Sequence, residues 1–324
     1  MVTDSFLDHI DQLRLELNEQ LQSFRLDLEP RYLYDPIKYV LNGKGKRLRP
    51  IIVRLVGDVY GASKADLLNA GLAVELLHNF TLVHDDIMDH DSLRHGKATV
   101  HKKWDESTAI LAGDGIYAIA QMLLTRVKIN PLEAVHAFNK ATLYVCEGQA
   151  YDKEFENNSG INLDQYLKMV KKKTGWLVGF CAELGGILGK QSKAVIYELR
   201  SFGLNLGIAF QIQDDILEIF SDAKNMGKSL GSDVISGKQT ILTVLARQKD
   251  SVEWKEKWEE IRKKNMPIAF KKLRTYFNEN GILDAAKMMA KDYTDTAQNS
   301  LKIIPTGKRT QLEQLTEFVW KREK

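Results

Sequence analysis

Two short runs of carboxylates stand out for their spacing. LVHDDIMDHD places Asp85, Asp86 and Asp89 at the end of an apolar helical pattern, and FQIQDDILEIF places Asp214, Asp215 and Glu218 at the same spacing after another. At about 3.6 residues per turn, positions four apart differ by about 40° around the axis, so Asp85 and Asp89 share a face. Like charges so placed repel weakly, and a cation reverses that sign. One such triplet is ordinarily a solvated face. Two, each closing an apolar helix, suggest carboxylates that build a metal site in a helix bundle. Hard oxygen ligands without cysteine or paired histidine indicate Mg²⁺, which bridges a few carboxylates to substrate phosphates.

Cations supply the complementary half. GKGKRLRP at 43–50 carries Lys44, Lys46, Arg47 and Arg49. Alone it reads as an exposed loop or a weak nucleic-acid patch. Beside a Mg²⁺ site it reads as a phosphate clamp, with lysine a point charge and arginine a bidentate fork. Arg94, His95 and Lys97 follow the first cluster, and KKKTG, GKSLGSD and GKQT add Lys171–Gly175, Gly227–Asp233 and Gly237–Thr240. Several short lysine loops suit a site that holds more than one polyphosphate group. His78 precedes Asp85 by seven residues and so falls about 20° from it on the helix. His84-Asp85 also matches the core dipeptide of zinc-dependent HD-type phosphohydrolases. Those enzymes need another metal-binding histidine well upstream, and only His9 precedes His78.

Long helices must carry these groups. Residues 132–266 contain no proline, which favours uninterrupted helix. Phe6, Ile10, Leu13, Leu17 and Leu21 recur at steps of three and four, one stripe of an amphipathic helix. Stretches 67–90, 106–127, 131–155, 163–188, 192–221 and 283–303 also read as helix, and no strand-length alternation is convincing. Breaks are expected at 30–36, 41–50, 90–99, 157–162, 222–238 and 265–267. The charge-rich stretch 249–272, with Trp254 and Trp258 one turn apart, reads as an exposed helix with an apolar seam. The fold expected is all-α, a single domain over residues 1–324 with about ten or more helices.

Composition narrows the function. The 324 residues are 44% hydrophobic and 27% charged, an ordinary globular balance. A net charge of +3 gives no global attraction to nucleic acid, and no nucleic-acid partner is expected. No apolar run approaches the roughly 18 residues of a membrane span, and the acidic, amphipathic start is unlike a signal peptide. Two cysteines, Cys146 and Cys181, cannot form a disulfide framework, which fits a reduced, cytoplasmic protein.

From GKGKRLRP through HNFTLVHDDIMD and GQAYD to FQIQDDILE and GKQT, nearly the whole chain resembles the trans-prenyl (polyprenyl) diphosphate synthases. The resemblance implies an isoprenoid synthase fold, a helical bundle around a central cavity, as a homodimer. It implies Mg²⁺-dependent elongation of an allylic diphosphate by isopentenyl diphosphate. Carried over, Asp85 and Asp89 bind Mg²⁺ with Asp86 in support, and Asp214 holds the remaining Mg²⁺ with Asp233, Asp215 completing the acidic wall. Arg94, Lys173, Lys228 and Lys238 contact the allylic diphosphate, and Lys46, Arg49 and His78 the isopentenyl diphosphate. Thr174 and Gln211 match positions near the reacting carbons. Phe80, five residues before the first aspartate, and Thr81 match the positions that set product length.

Two departures stand against the family pattern. His95 occupies the place of a usual second arginine of the isopentenyl site, and Glu218 that of a usual aspartate. A bulky Phe80 implies a short chain, with geranylgeranyl diphosphate favoured over farnesyl or longer products. A terpene cyclase shares the first acidic motif but needs no isopentenyl clamp. A non-catalytic synthase subunit generally loses acidic motifs that this chain keeps.

Overall fold

The computed structural model describes residues 2–43, 45–156, 158, 160–221 and 237–321. Fifteen α-helices run in order through them: α1 (Asp4–Gln22), α2 (Arg31–Leu41), α3 (Leu48–Val59), α4 (Lys64–Met88), α5 (Val100–Lys103), α6 (Glu106–Leu124), α7 (Pro131–Phe155), α8 (Leu163–Val170), α9 (Trp176–Leu188), α10 (Lys193–Phe220), α11 (Ile241–Lys249), α12 (Ser251–Ile261), α13 (Met266–Glu279), α14 (Ile282–Ser300) and α15 (Thr306–Trp320). A π-turn, Lys171–Gly175, joins α8 to α9. Strands β1 (Leu93–Arg94) and β2 (Lys97–Ala98) form an antiparallel hairpin between α4 and α5. The all-α expectation holds, with helix bounds close to those read from periodicity.

Prolines mark three helix starts. Pro131 opens α7, Pro267 lies in the first turn of α13 and Pro50 in that of α3, where a missing N–H costs nothing. Pro36 departs from expectation. The stretch 30–36 reads as a break, yet α2 begins at Arg31 and carries Pro36 inside it. Its ring removes one helical hydrogen bond, while its burial with Ile37 and Leu41 holds the turn in place.

The chain divides into two compact units; four of the five boundaries fall inside helices and the fifth at the end of α14. The first comprises Met1–Thr142, Phe180–Arg200 and Leu301–Leu315. Its core gathers Ile37, Ile51, Ile52, Leu55, Leu76, Leu77 and Ile116, with α4 packed along α6 and α3. The α1 stripe is buried as expected, at Phe6, Ile10, Leu13, Leu17 and Leu21. Helix α6 is apolar and long enough to cross a membrane by length and composition, but 44% of that window is buried.

The second unit comprises Leu143–Gly179, Ser201–Ser300 and Thr316–Lys324. Its core runs from Tyr166 and Val170 through Ile212, Ile216 and Ile219 to Ile241, Leu242 and Phe277. Trp254 is buried and stacks on Trp258 and Phe277, the apolar seam expected of the charged stretch.

Candidate functional site

In the first unit, the basic loop is built around an arginine that turns inward. Arg47 has φ 52° and is 6% exposed. It donates from Nε to Asn18 Oδ1 (2.9 Å), from Nη1 to Glu75 Oε1 (2.5 Å) and from Nη2 to the Gly43 carbonyl (2.5 Å). Arg14 Nε donates to the Lys46 carbonyl at 3.3 Å. The loop is thus tied to α1 and α4, with Lys46 exposed on it and Arg49 half-buried in the first turn of α3.

Arg49 Nη1 lies 3.1 Å from His78 Nε2. Guanidinium only donates, so Nε2 is the acceptor and the ring proton sits on Nδ1. Burial, then the charges of Arg49, Arg94, His95 and Arg47, holds the His78 imidazole well below its ordinary 6.5. His78 is therefore a neutral group that orients Arg49.

The carboxylates ending α4 divide into two kinds. Asp85 and Asp89 are half-buried and share a face, the Asp89 N–H donating to the Asp85 carbonyl at 2.8 Å. Asp86 is 5% exposed and turns inward, accepting at Oδ1 from Arg94 Nε (2.8 Å) and Nη2. Arg94 also reaches Asp91 Oδ2 at 3.2 Å. His95 caps the hairpin, exposed and at φ 49°. Phe80 packs edge-on to His84 (4.7 Å) and tilted on Tyr117 (5.2 Å), which touches Phe138 (5.8 Å). The Thr81 hydroxyl donates to the His78 carbonyl, 2.8 Å away within its own helix.

The second unit repeats the division. Asp214 is half-buried, whereas Asp215 and Glu218 are buried. Asp215 accepts from the Tyr166 hydroxyl (2.6 Å) and the Ile241 N–H (2.8 Å) at Oδ2, and from Gln211 Nε2 (3.0 Å) at Oδ1. Burial pushes its carboxyl up to about 7 against those three donors. Gln211 Oε1 in turn accepts from the Thr174 hydroxyl at 2.9 Å, which brings the expected Thr174 and Gln211 together. Lys173 Nζ sits 2.5 Å from Asp152 Oδ2, and Lys172 pairs with Glu147. Lys238 is half-buried just before Thr240, the N-cap of α11. Lys228 and Asp233 lie outside the described residues.

Four residues were missed by sequence reasoning. Glu75 and Tyr166 anchor Arg47 and Asp215, and Asp152 anchors Lys173. Gln149 is 6% exposed, and neither of its amide atoms meets a hydrogen-bond partner among the described residues. Gln149 and Asp152 lie in GQAYD, a motif of the resemblance with no role given to either residue, and that motif was the available signal. Among the described residues, no three His, Cys, Asp or Glu side chains group so as to hold a metal ion by themselves. The donors at Asp85, Asp89 and Asp214 are nevertheless hard carboxylate oxygens, and Mg²⁺ commonly takes only one or two such groups plus phosphate oxygens. The donor chemistry fits that ion.

Residues 30–277 match the family model described as Polyprenyl synthetase. The geranylgeranyl diphosphate synthase of Methanosarcina mazei is 34% identical over 328 residues, covering 100% of both chains. The solved geranylgeranyl pyrophosphate synthetase from Pyrococcus horikoshii matches with a TM-score of 0.91 at 34% identity, covering 99% of each chain. A polyprenyl synthase from Caulobacter crescentus, solved with calcium and isoprenyl diphosphate, matches with a TM-score of 0.89 at 28% identity, covering 100% of this chain and 99% of that one.

Proposed function

This chain belongs to the polyprenyl synthetase family and is a prenyltransferase that elongates prenyl diphosphates, and we propose that its main product is geranylgeranyl diphosphate. Its fold is that of the isoprenoid synthases. The substrates proposed are isopentenyl diphosphate and an allylic diphosphate, with diphosphate released. The observation that supports the product length is a bulky Phe80 at the family's length-setting position, held against His84 and Tyr117. Farnesyl diphosphate is the second product considered, and longer chains the third.

The residues take the following roles. Lys46 and Arg49 bind isopentenyl diphosphate, with neutral His78 orienting the Arg49 fork. Asp85, Asp89 and Asp214 would hold Mg²⁺ on the allylic diphosphate. When bound, the ion supplies Lewis-acid compensation of the charge that develops on the leaving diphosphate. Lys173, Lys238 and Arg94 add fixed positive charge toward the same leaving group. Asp86 and Asp215 support their neighbours from within the protein, Asp86 by holding Arg94 and Asp215 by holding Gln211. Lys228 and Asp233 keep the roles their motif gives them. Thr174 and Gln211 orient around the reacting carbons, and apolar side chains exclude water from the allylic cation.

We further propose a homodimer in the cytoplasm. Leu111 and Met122 on α6 are exposed, as are Leu132 and Leu143 on one face of α7, and a second copy would cover them. The test of product length is incubation of the isolated chain with isopentenyl diphosphate and dimethylallyl, geranyl or farnesyl diphosphate in turn. A twenty-carbon end product from every primer supports the proposal, and a dominant fifteen-carbon or longer product overturns it. Turnover by the chain alone also separates an enzyme from a non-catalytic subunit.

A further inference from the structure

The run from Leu163 to Leu188 is α-helical except at its π-turn, Lys171–Gly175. A π-turn carries one extra residue and is uncommon, so its surroundings must favour the wider form. Two glycines on neighbouring helices supply those surroundings. At Gly148 of α7, an added Cβ would lie 2.2 Å from Lys173 N, 2.5 Å from Lys173 Cα and 2.7 Å from Lys172 C. These are main-chain atoms and cannot swing aside. At Gly207 of α10, a Cβ would lie 2.9 Å from Gly175 Cα and 3.1 Å from Val178 Cβ. Ion pairs flank the first contact, Lys172 with Glu147 and Lys173 with Asp152.

The extra residue changes which side chains face α10. Tyr166 bonds Asp215 and Thr174 bonds Gln211, two α10 positions one turn apart. Tyr166 and Thr174 are eight residues apart, which in a regular α-helix would set them about 80° from one another. Absorbing one residue in a π-turn leaves about seven α-helical steps, two full turns within about 20°. Both hydroxyls then reach one helix.

We propose that Gly148 and Gly207 clamp the π-turn between α7 and α10 and are thereby positioning residues for Lys173 and Thr174. The inference rests on the roles given to those two residues above, and it places the determinant in backbone contact rather than in a charged group. A methyl at either glycine pushes the turn off its neighbour and moves Lys173 and Thr174 together.

The test uses Gly148→Ala and Gly207→Ala in the full chain, with Gly186→Ala as control. A Cβ at Gly186 would meet the flexible end of Leu199 at 2.7 Å, so it strains packing without touching the turn. Four readouts are taken: thermal midpoint, hydrogen exchange of the peptide over 168–178, kcat, and KM for isopentenyl diphosphate. The expected result is a loss of about 10–100-fold in kcat for both clamp variants, the scale of a displaced catalytic group. Exchange in the turn accelerates, KM for isopentenyl diphosphate stays within about twofold, and Gly186→Ala keeps its kcat. Folded clamp variants with wild-type kcat, or with unchanged exchange in the turn, overturn the proposal. If Gly148→Ala does not fold, Gly207→Ala, with the looser contact, decides it. Lys173→Ala and Thr174→Ala run in parallel: wild-type turnover by these would refute their assigned roles, while the exchange data still judge the clamp.

Discussion

The hydroxyl of Tyr166, fully buried, donates to Oδ2 of Asp215 across 2.6 Å, beside Asp214, an expected metal ligand of the same acidic motif. The same oxygen accepts the Ile241 N–H, so one carboxylate ties α8, α10 and the start of α11 together. Asp215 thereby anchors the motif in which Asp214 is the proposed ligand of the ion.

That anchor has a pH signature. The folded Asp215 carboxyl sits at about 7 against 3.8 for the ordinary group. The folded protein therefore retains a proton that the unfolded chain has lost. This contribution to stability is full below about pH 4 and is lost as pH rises through about 7. Asp215→Asn is expected to flatten the metal-free thermal midpoint over that window. Tyr166→Phe, which deletes a donor to a buried acceptor, is expected to cost about 1–3 kcal/mol. Thermal melts from pH 4 to 8 check both.

The Arg47–Glu75 pair braces the segment proposed to bind isopentenyl diphosphate. Both side chains are 5% exposed, so Glu75→Gln leaves a buried guanidinium without its counter-charge. A loss of about 3–5 kcal/mol is expected, the scale for breaking a buried pair from one side. Because the loop carries Lys46 and Arg49, KM for isopentenyl diphosphate should rise several-fold while KM for the allylic primer changes little. Urea unfolding and steady-state kinetics measure the two effects.

Phe80→Ala should lengthen the product. The substitution removes the ring that packs on His84 and Tyr117, and the space beside Tyr117 becomes available to further isoprene units. Chromatography of the products after phosphatase treatment resolves the chain lengths, and an unchanged distribution would remove Phe80 from the account.

His95→Arg should lower KM for isopentenyl diphosphate. The hairpin tip is exposed, so the longer guanidinium can replace imidazole without repacking, and a permanent bidentate donor replaces a titratable one. An unchanged KM would show that this tip does not contribute to that subsite.

Much of this was legible in the sequence, for identifiable reasons. Helix extents follow from apolar periodicity and from prolines at first turns, both local properties. The shared face of Asp85 and Asp89 follows from helical spacing, whereas Thr174 and Gln211 were named only through the family resemblance and meet across 37 residues of sequence. What spacing cannot show is which aspartate of a pair turns inward. That is decided for Asp86 by Arg94 and for Asp215 by Tyr166, 49 residues away in sequence. Arg47 was read as a member of a phosphate clamp, whereas its partner Glu75, 28 residues on, draws it into the core. The π-turn was invisible because KKKTG does not encode it alone: Gly148 and Gly207 lie on other helices. Pro36 inside α2 was missed because tertiary burial overrides a local helix breaker.

The most direct test is incorporation of labelled isopentenyl diphosphate by the purified chain, with Mg²⁺ and after its removal by chelation. Dimethylallyl, geranyl and farnesyl diphosphates are offered separately. The account predicts elongation that requires Mg²⁺ and returns on its re-addition, and that is lost in Asp85→Ala and Asp214→Ala. Elongation that survives chelation, or wild-type rates in both aspartate variants, would contradict the assignment of these carboxylates as the metal-holding half of the site.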